Sequence, residues 1–132
     1  MSRVAPQRVL LVGVSARALA ESAARAGCEV TAIDAYNDLD LQRVARTIAA
    51  PRLGDGRVDA FALARASHHI GTDAVAYLSN FENAPDAVAA LARGRTLLGN
   101  RPPVLRRVRD PLVLARALAR LGLPVPLVRA SA

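Results

Sequence analysis

The amino-acid sequence predicts an α/β domain: an open, mostly parallel sheet of four or five strands with helices on both faces. Short apolar runs rich in β-branched residues alternate along the chain with segments in which apolar residues recur at helical spacing. Glycine follows most of the predicted helices, which is typical of helix ends. The length of 132 residues suits one domain with its own core and is too short for two.

The first 34 residues contain a strand, a helix and a second strand. Residues 8–14 form a short apolar run, as expected of a buried strand. Residues 16–26 are predicted to form a helix that ends at Gly27, and residues 29–34 the second strand. Because parallel strands need a crossover connection, which is right-handed in nearly all proteins, this order predicts a βαβ unit.

The later elements continue the alternation. Residues 39–50 favour either a helix capped by Asp38 or Asp40, or a segment that also contains a short strand at 47–49. Further elements are predicted as helix 58–70, strand 73–79, a helix capped by Asn83 that runs to 93, strand 95–98, and a helix opened by Asp110-Pro111 that runs to 121. The two prolines within 99–103 indicate a stiff junction. This order is Rossmann-like, so a ligand site is expected in the loops after residues 14, 33, 78 and 98.

Composition excludes several chemistries. All 18 basic residues are arginine, so a Schiff-base lysine, a P-loop lysine and a lysine general base are absent. The net charge is +7, but the arginines are scattered and a nucleic-acid partner is not favoured. One cysteine excludes an internal disulfide, and the two histidines are adjacent, without metal-ligand spacing or the parts of a serine triad. No catalytic residue and no metal site are predicted.

Location follows from the apolar pattern. No apolar run approaches the ~18–20 residues that cross a bilayer, so no membrane association is predicted. The apolar stretch near the N-terminus resembles a signal sequence, but Gly13, Ser15 and Arg17 interrupt it. We therefore predict a cytoplasmic protein.

The first candidate loop runs from Gly13 to Ala18. A dinucleotide fingerprint would need glycine at positions 13, 15 and 18, and only Gly13 is present, although Asp34 stands where a ribose-binding acid would. Ser15 and Arg17, at the start of the predicted helix, suit a carboxylate or phosphate. Alternatively, Ser15 only caps the helix and Arg17 is solvated.

The second candidate loop carries Asp34, Asp38 and Asp40. Asp34 stands at the tip of the predicted strand, where it could contact a ligand. Asp38 and Asp40 are interpreted first as acids at the positive end of a helix, with an amine, an arginine or a divalent cation as the alternative partner.

The third candidate loop contains Phe81, Glu82 and Asn83. An aromatic side chain beside polar groups at a strand end suits a pocket wall. In the alternative interpretation, Phe81 covers the edge of the core and Asn83 merely starts a helix.

These segments resemble a known family. GVSARALAESA (13–23), DAYNDLD (34–40) and NFEN (80–83) are similar to segments of the ATP-grasp superfamily, in its branch of predicted ATP-dependent carboligases related to biotin carboxylase. LGN (98–100) and RDP (109–111) fit the same register, so the resemblance covers nearly the whole chain. It implies a pre-ATP-grasp domain over residues 1–122 and a linker over 123–132 that leads toward an ATP-grasp domain.

In that superfamily this domain helps to form the acceptor-substrate side of the cleft, while the ATP-grasp fold binds ATP and Mg²⁺. The resemblance therefore implies a substrate-binding module of a carboxylate–amine ligase, with a carboxylate or amine as substrate. The lysines and acids of the ATP-grasp fold have no counterpart here, so we expect part of a longer or split enzyme that alone binds neither ATP nor Mg²⁺ and is inactive.

Its expected partners are that substrate and an ATP-grasp domain in cis or in trans, and a homodimer is compatible with the sequence. The residues expected to bind substrate are Gly13, Ser15, Arg17, Asp34, Asp38, Glu82 and Asn83. The alternatives are a stand-alone nucleotide- or dinucleotide-binding Rossmann module and a protein-interaction module.

Overall fold

Five parallel strands form one open sheet in the computed structural model, which describes residues 8–129. The strands are β1 (Arg8–Val12), β2 (Glu29–Asp34), β3 (Arg46–Ala49), β4 (Ala74–Tyr77) and β5 (Thr96–Leu97). Their order across the sheet is β3-β2-β1-β4-β5, with every pair parallel. The predicted fold class is therefore confirmed.

Helices cover both faces of this sheet, as predicted. They are α1 (Arg17–Arg25), α2 (Leu39–Gln42), α3 (Ala60–Ala66), α4 (Pro85–Leu91), α5 (Pro102–Arg109) and α6 (Pro111–Arg120). A short 3₁₀ turn, Ser79–Phe81, stands between β4 and α4. None of the helices in residues 8–129 has the length and apolar character needed to cross a membrane.

The sheet divides the core into two clusters, one on each face, and the central strand β1 contributes side chains to both. Val9 and Leu11 pack with the residues under α1 and α2, whereas Leu10 and Val12 pack with those under α3, α4 and α5. Because successive side chains of a strand point to opposite faces, a continuous apolar run is what a strand buried on both faces requires.

Residues 39–50, for which the sequence left two alternatives, contain both a helix and a strand. Asp38 caps α2 by accepting a hydrogen bond from the backbone N–H of Leu41 at 2.9 Å. Strand β3 then pairs with β2, which places it at the edge of the sheet. Asp110 likewise caps α6, as predicted, by accepting from the backbone N–H groups of Leu112 and Val113.

Three predictions need correction. The first strand ends at Val12 rather than at residue 14, because the backbone turns there. Residues 99–101 of the junction predicted at 99–103 do connect β5 to the next element, but its two prolines are the first two residues of α5. Proline fits there because the first N–H groups of a helix have no partner inside it. Asn83 does not cap α4, since the N-cap residue is Ala84 and no side chain bonds there.

The fold places the loops after β1, β2 and β4 along one edge of the sheet. From β1 the chain crosses to α1 on one face, whereas from β4 it continues to α4 on the other. The carboxyl ends of β1 and β4, which are neighbours in the sheet, therefore form the switch point at which such folds bind ligands. The predicted linker role of residues 123–132 stays a prediction, and residues 130–132 lie outside the described part of the chain.

Candidate functional site

Asp34, the last residue of β2, connects two of the candidate loops. Its side chain is only 2% exposed, and its Oδ2 accepts a hydrogen bond from the backbone N–H of Ala16 at 2.5 Å. Its Oδ1 accepts from the backbone N–H groups of Tyr36 and Asn37, both at 2.8 Å. Both carboxylate oxygens thus bind backbone within the protein, so Asp34 fixes the shape of the loops after β1 and β2.

Asn37 completes the loop after β2. Its backbone φ of +50° lies in the left-handed region, which asparagine tolerates better than most residues. Its carbonyl accepts a hydrogen bond from Nε2 of Gln42 at 2.8 Å, which holds the loop against α2. The side-chain Oδ1 of Asn37 is buried and has no hydrogen-bond partner among residues 8–129.

Gly13 connects the loop after β1 to the loop after β4. A Cβ atom at this position would lie 2.5 Å from Cβ of Leu78 and 2.9 Å from its Cγ. The Gly13 N–H donates to the carbonyl of Ile33 at 3.1 Å. Gly13 is buried, and glycine is required there because the Leu78 side chain occupies the space that a side chain would need.

Ser15 and Arg17 lie at the start of α1, and both are exposed. The N-cap residue of α1 is Ala16, and no side chain caps the first turn of the helix, so the alternative in which Ser15 caps the helix is wrong. The guanidinium of Arg17 lies 4.0 Å from the Asp38 carboxylate and 3.6 Å from that of Asp40. These carboxylates hold the arginine beside the first turn of α1 and offset its charge.

Glu82 and Asn83 face a different group of residues. The Nε of Arg109 donates to Oδ1 of Asn83 at 2.7 Å, and its Nη1 lies 3.6 Å from Oε2 of Glu82. These three residues line an open cavity of about 590 Å³ that reaches Asp110 and the first turn of α6. The cavity therefore lies between the loop after β4 and the junction of α5 and α6.

The predicted site residues thus form two groups. Gly13, Ser15, Arg17, Asp34 and Asp38 belong to the connected loops after β1 and β2, whereas Glu82 and Asn83 contact α5. The contact of Gly13 with Leu78 joins the two groups.

Phe81 does not form a pocket wall. Its side chain is fully buried in the core, with its ring centroid 6.0 Å from that of Tyr77. Phe81 therefore belongs to the core, and its prediction as a pocket wall is wrong.

Sequence reasoning missed four polar or aromatic side chains at these loops. Nη2 of Arg52 donates to the carbonyl of Ala35 at 2.9 Å, and Tyr36 is 68% exposed beside it in the chain. Both polar atoms of the Asn80 side-chain amide are buried without a partner among residues 8–129. The fourth residue is Arg109, which contacts Glu82 and Asn83. Each follows or faces the end of a strand, which was the only signal available in the sequence.

Solved structures of known enzymes share this fold. The biotin carboxylase domain of a single-chain bacterial carboxylase matches with a TM-score of 0.71 and 25% identity, over 95% of this chain and 31% of that one. N5-carboxyaminoimidazole ribonucleotide synthetase from Thermus thermophilus matches with a TM-score of 0.59 and 23% identity, over 89% of this chain and 31% of that one. The chain has the fold of the N-terminal domains of these ATP-grasp superfamily enzymes.

The pre-ATP-grasp fold is also found in the biotin carboxylase of Campylobacter jejuni, solved as a β,γ-ATP complex, with a TM-score of 0.67 and 16% identity. That match covers 91% of this chain and 29% of the other. This chain thus spans about a third of the length of these enzymes. No protein-family model matches the chain, and no curated protein matches it.

Among residues 8–129, the side chains present do not fit the Mg²⁺ that accompanies ATP. Within residues 8–129, no three His, Cys, Asp or Glu side chains are grouped so that they could hold a metal ion. The sequence contains no lysine, so any contact with phosphate would come from arginine or from backbone N–H groups. No step of ATP chemistry is therefore assigned to the side chains of this pre-ATP-grasp fold.

Proposed function

We propose that this chain is the acceptor-substrate-binding N-terminal module of an ATP-dependent carboxylate–amine ligase of the ATP-grasp type, and that it is inactive alone. The observation that carries the proposal is the likeness to the biotin carboxylase domain, at 25% identity over 95% of this chain. The connected loops at the carboxyl edge of the sheet support it further, because ligands of such folds bind there.

Ser15 and Arg17 are the residues that would bind an anionic group of the substrate. The Ser15 hydroxyl is exposed, and the first N–H groups of α1 have no partner inside the helix. Arg17 would contribute charge-assisted hydrogen bonds to a carboxylate or phosphate, with Asp38 keeping its guanidinium in place. Gly13 and Asp34 would support this site from beneath, through the backbone.

Glu82 and Asn83 are the residues that would bind an amine. The guanidinium of Arg109 already contacts both side chains, which indicates that a cation with N–H donors fits between them. A substrate amine would therefore compete with Arg109 for Glu82.

ATP and Mg²⁺ would be bound by an ATP-grasp domain, in cis or in trans, where ATP would activate a carboxylate for attack by the amine. This chain would hold and orient the acceptor against that domain. Cytoplasmic location and a homodimer stay predictions that accompany this proposal.

A stand-alone dinucleotide-binding module is the less supported alternative. The fingerprint glycines are replaced by Ser15 and Ala18. Asp34, which would have to bind a ribose, directs both carboxylate oxygens to backbone N–H groups.

One observation favours a protein-interaction module as the second candidate function. Val104, Val108 and Leu114 are each at least 40% exposed and line a cavity of about 270 Å³ between α5 and α6. Apolar side chains grouped in this way are typical of surfaces that bind another protein. Gel filtration that gives a monomer, with no change in the presence of an ATP-grasp domain, would contradict this function.

Reconstitution tests the main proposal. The chain would be mixed with, or fused to, an ATP-grasp domain encoded beside it, and ADP formation measured against a panel of carboxylates and amines. We expect ADP only when the chain, the domain and one acceptor are all present. If no acceptor supports ADP formation, or if the domain alone is equally active, the proposal is wrong.

A further inference from the structure

A second polar cavity lies at the end of the sheet where β1, β2 and β3 begin, opposite the end that carries the candidate loops. Its volume is about 190 Å³, and its lining includes Arg8, Glu29, Thr31, Arg46, His69 and Thr72. In the register of the strands, Arg8 stands opposite Glu29, and Thr31 stands opposite Arg46. Side chains at paired positions of neighbouring strands share a face of the sheet, so the sheet presents these four groups together.

Thr31 contributes an unused polar group to this cavity. The residue is 8% exposed and lies beside Leu10 of β1, a fully buried core residue. Thr31 forms no side-chain hydrogen bond within residues 8–129, and its hydroxyl is not fully enclosed, so water can reach it. Because Thr31 lines the cavity, it is the residue from which a bound molecule could receive a hydroxyl hydrogen bond.

The charges around the cavity are of both signs. Arg8 is held by Asp73, with its Nη2 donating to Oδ1 at 2.6 Å. Within the described residues, by contrast, no ion pair engages Arg46 or Glu29, which border the same cavity. Arg46 and Glu29 are both exposed, and the pKa of the Arg8 guanidinium is raised by its hydrogen bond to Asp73 and, to a smaller extent, by the nearby Glu29 charge.

We propose that this cavity binds a small zwitterion of the free α-amino-acid class. Its carboxylate would pair with Arg46 and accept a hydrogen bond from Thr31, and its ammonium group would pair with Glu29. A purely anionic ligand would face the Glu29 carboxylate, and a purely cationic one would face Arg46. The cavity is smaller than the ~300–1,000 Å³ typical of sites for drug-sized ligands, which also favours a small molecule.

This site is independent of the proposed ligase function, because it lies at the other end of the strands from the candidate substrate loops. Its ligand would be bound by the chain alone, with no ATP-grasp domain present. Failure of the reconstitution described above would therefore leave it unaffected.

Titration calorimetry on the full chain tests the proposal, with glycine and alanine as probes and acetate, methylammonium and inorganic phosphate as comparison ligands. We expect saturable binding of the amino acids and weaker binding of all three comparison ligands. Arg46→Gln and Glu29→Gln should each weaken amino-acid binding about tenfold or more, since each removes one charged partner. Thr31→Val should weaken it several-fold at nearly constant side-chain volume.

Arg43→Gln is the matched control. Arg43 is an exposed arginine three residues earlier that pairs with Asp40 outside the cavity, and its replacement should leave amino-acid binding unchanged. A thermal unfolding curve for each variant establishes that it is folded. The proposal is overturned if neither amino acid binds, if acetate, methylammonium or phosphate binds as tightly as the amino acids, or if folded Arg46→Gln binds them like the unaltered protein.

Discussion

The carboxylate of Asp34 accepts a 2.5 Å hydrogen bond from the backbone N–H of Ala16, the N-cap residue of α1. The two residues are 18 positions apart: Asp34 ends β2, and Ala16 follows the loop after the neighbouring strand β1. A buried carboxylate is thereby stabilised by backbone dipoles instead of by a cation. The start of α1 and the loop after β2 are held in one arrangement by this single side chain.

Asp34→Asn should destabilise the fold. An asparagine keeps one acceptor oxygen but turns an NH₂ group toward at least one backbone N–H, so a buried donor loses its partner. We expect a loss of about 1–3 kcal/mol in the free energy of unfolding, measured with urea. Asp40→Asn is the control, because that exposed acid forms only surface ion pairs and should cost less than about 1 kcal/mol. Equal urea midpoints for the two variants would contradict this role of Asp34.

Gly13→Ala should be destabilising because the new methyl group would overlap the side chain of Leu78. Overpacking of this kind costs about 1–3 kcal/mol, which a shift in the thermal midpoint would reveal. Gly54→Ala provides the control, since a Cβ atom there would meet no other atom within 4 Å. We expect that variant to be neutral or slightly more stable than the unaltered protein. A Gly13→Ala protein as stable as Gly54→Ala would show that Leu78 can move aside.

Arg95→Lys should lower the free energy of unfolding, because Arg95 holds together the segments that precede β4 and β5. Burial lowers the pKa of the Arg95 guanidinium, which donates to the carbonyls of Ser67, Ile70 and Leu91 at 2.6–2.9 Å. Lysine lacks the planar fork needed to reach all three, so a loss of about 1.5–3 kcal/mol is expected in urea unfolding. Arg93→Lys, at an exposed position nearby, should have little effect, and a similar loss there would argue against the carbonyl contacts as the cause.

The free energy of unfolding should decrease at acidic pH, partly because the Asp73 carboxylate becomes protonated there. Hydrogen bonding from Arg8 holds the pKa of the Asp73 carboxyl below its ordinary value. Because the pKa is lower in the folded chain, the pair contributes fully above the unfolded value of about 3.9 and is lost as the pH falls through the folded value. Asp73→Asn should therefore reduce the dependence of the unfolding midpoint on pH below about 4. Arg8→Gln should do the same, and an unchanged acid limb in both variants would contradict the assignment.

Arg17→Ala tests the proposed anion subsite. We expect KM for the acceptor to rise about tenfold in the reconstituted ligase, because a charge-assisted hydrogen bond is lost. The unfolding midpoint should change little, since Arg17 is exposed. Arg43→Ala removes another arginine that contacts Asp40, and should leave KM unchanged. Equal KM values for the two variants would exclude Arg17 from the substrate site.

Much of the fold could be predicted because its signals are local. The bounds of β2 agree with the prediction at both ends, since a charged residue flanks the apolar run on each side. Helix α5 was missed because its two prolines also suit a rigid junction, and only the fold distinguishes the two structures.

The site was less predictable because its contacts join distant residues. Asp34 was correctly placed at the tip of a strand, but the direction of its carboxylate depends on how the next loop folds back. Asn83 was expected to cap α4 and instead accepts from Arg109, 26 residues later in the chain. No pattern within one helix or loop could reveal that partner.

Arg109 also has a mechanical consequence. It contacts Glu82 and Asn83 and directly precedes Asp110, whose carboxylate holds the first turn of α6. Arg109 therefore joins the loop after β4 to the residue that caps α6. A molecule that draws Glu82 away from Arg109 would remove one of the two contacts by which the loop after β4 reaches the start of α6.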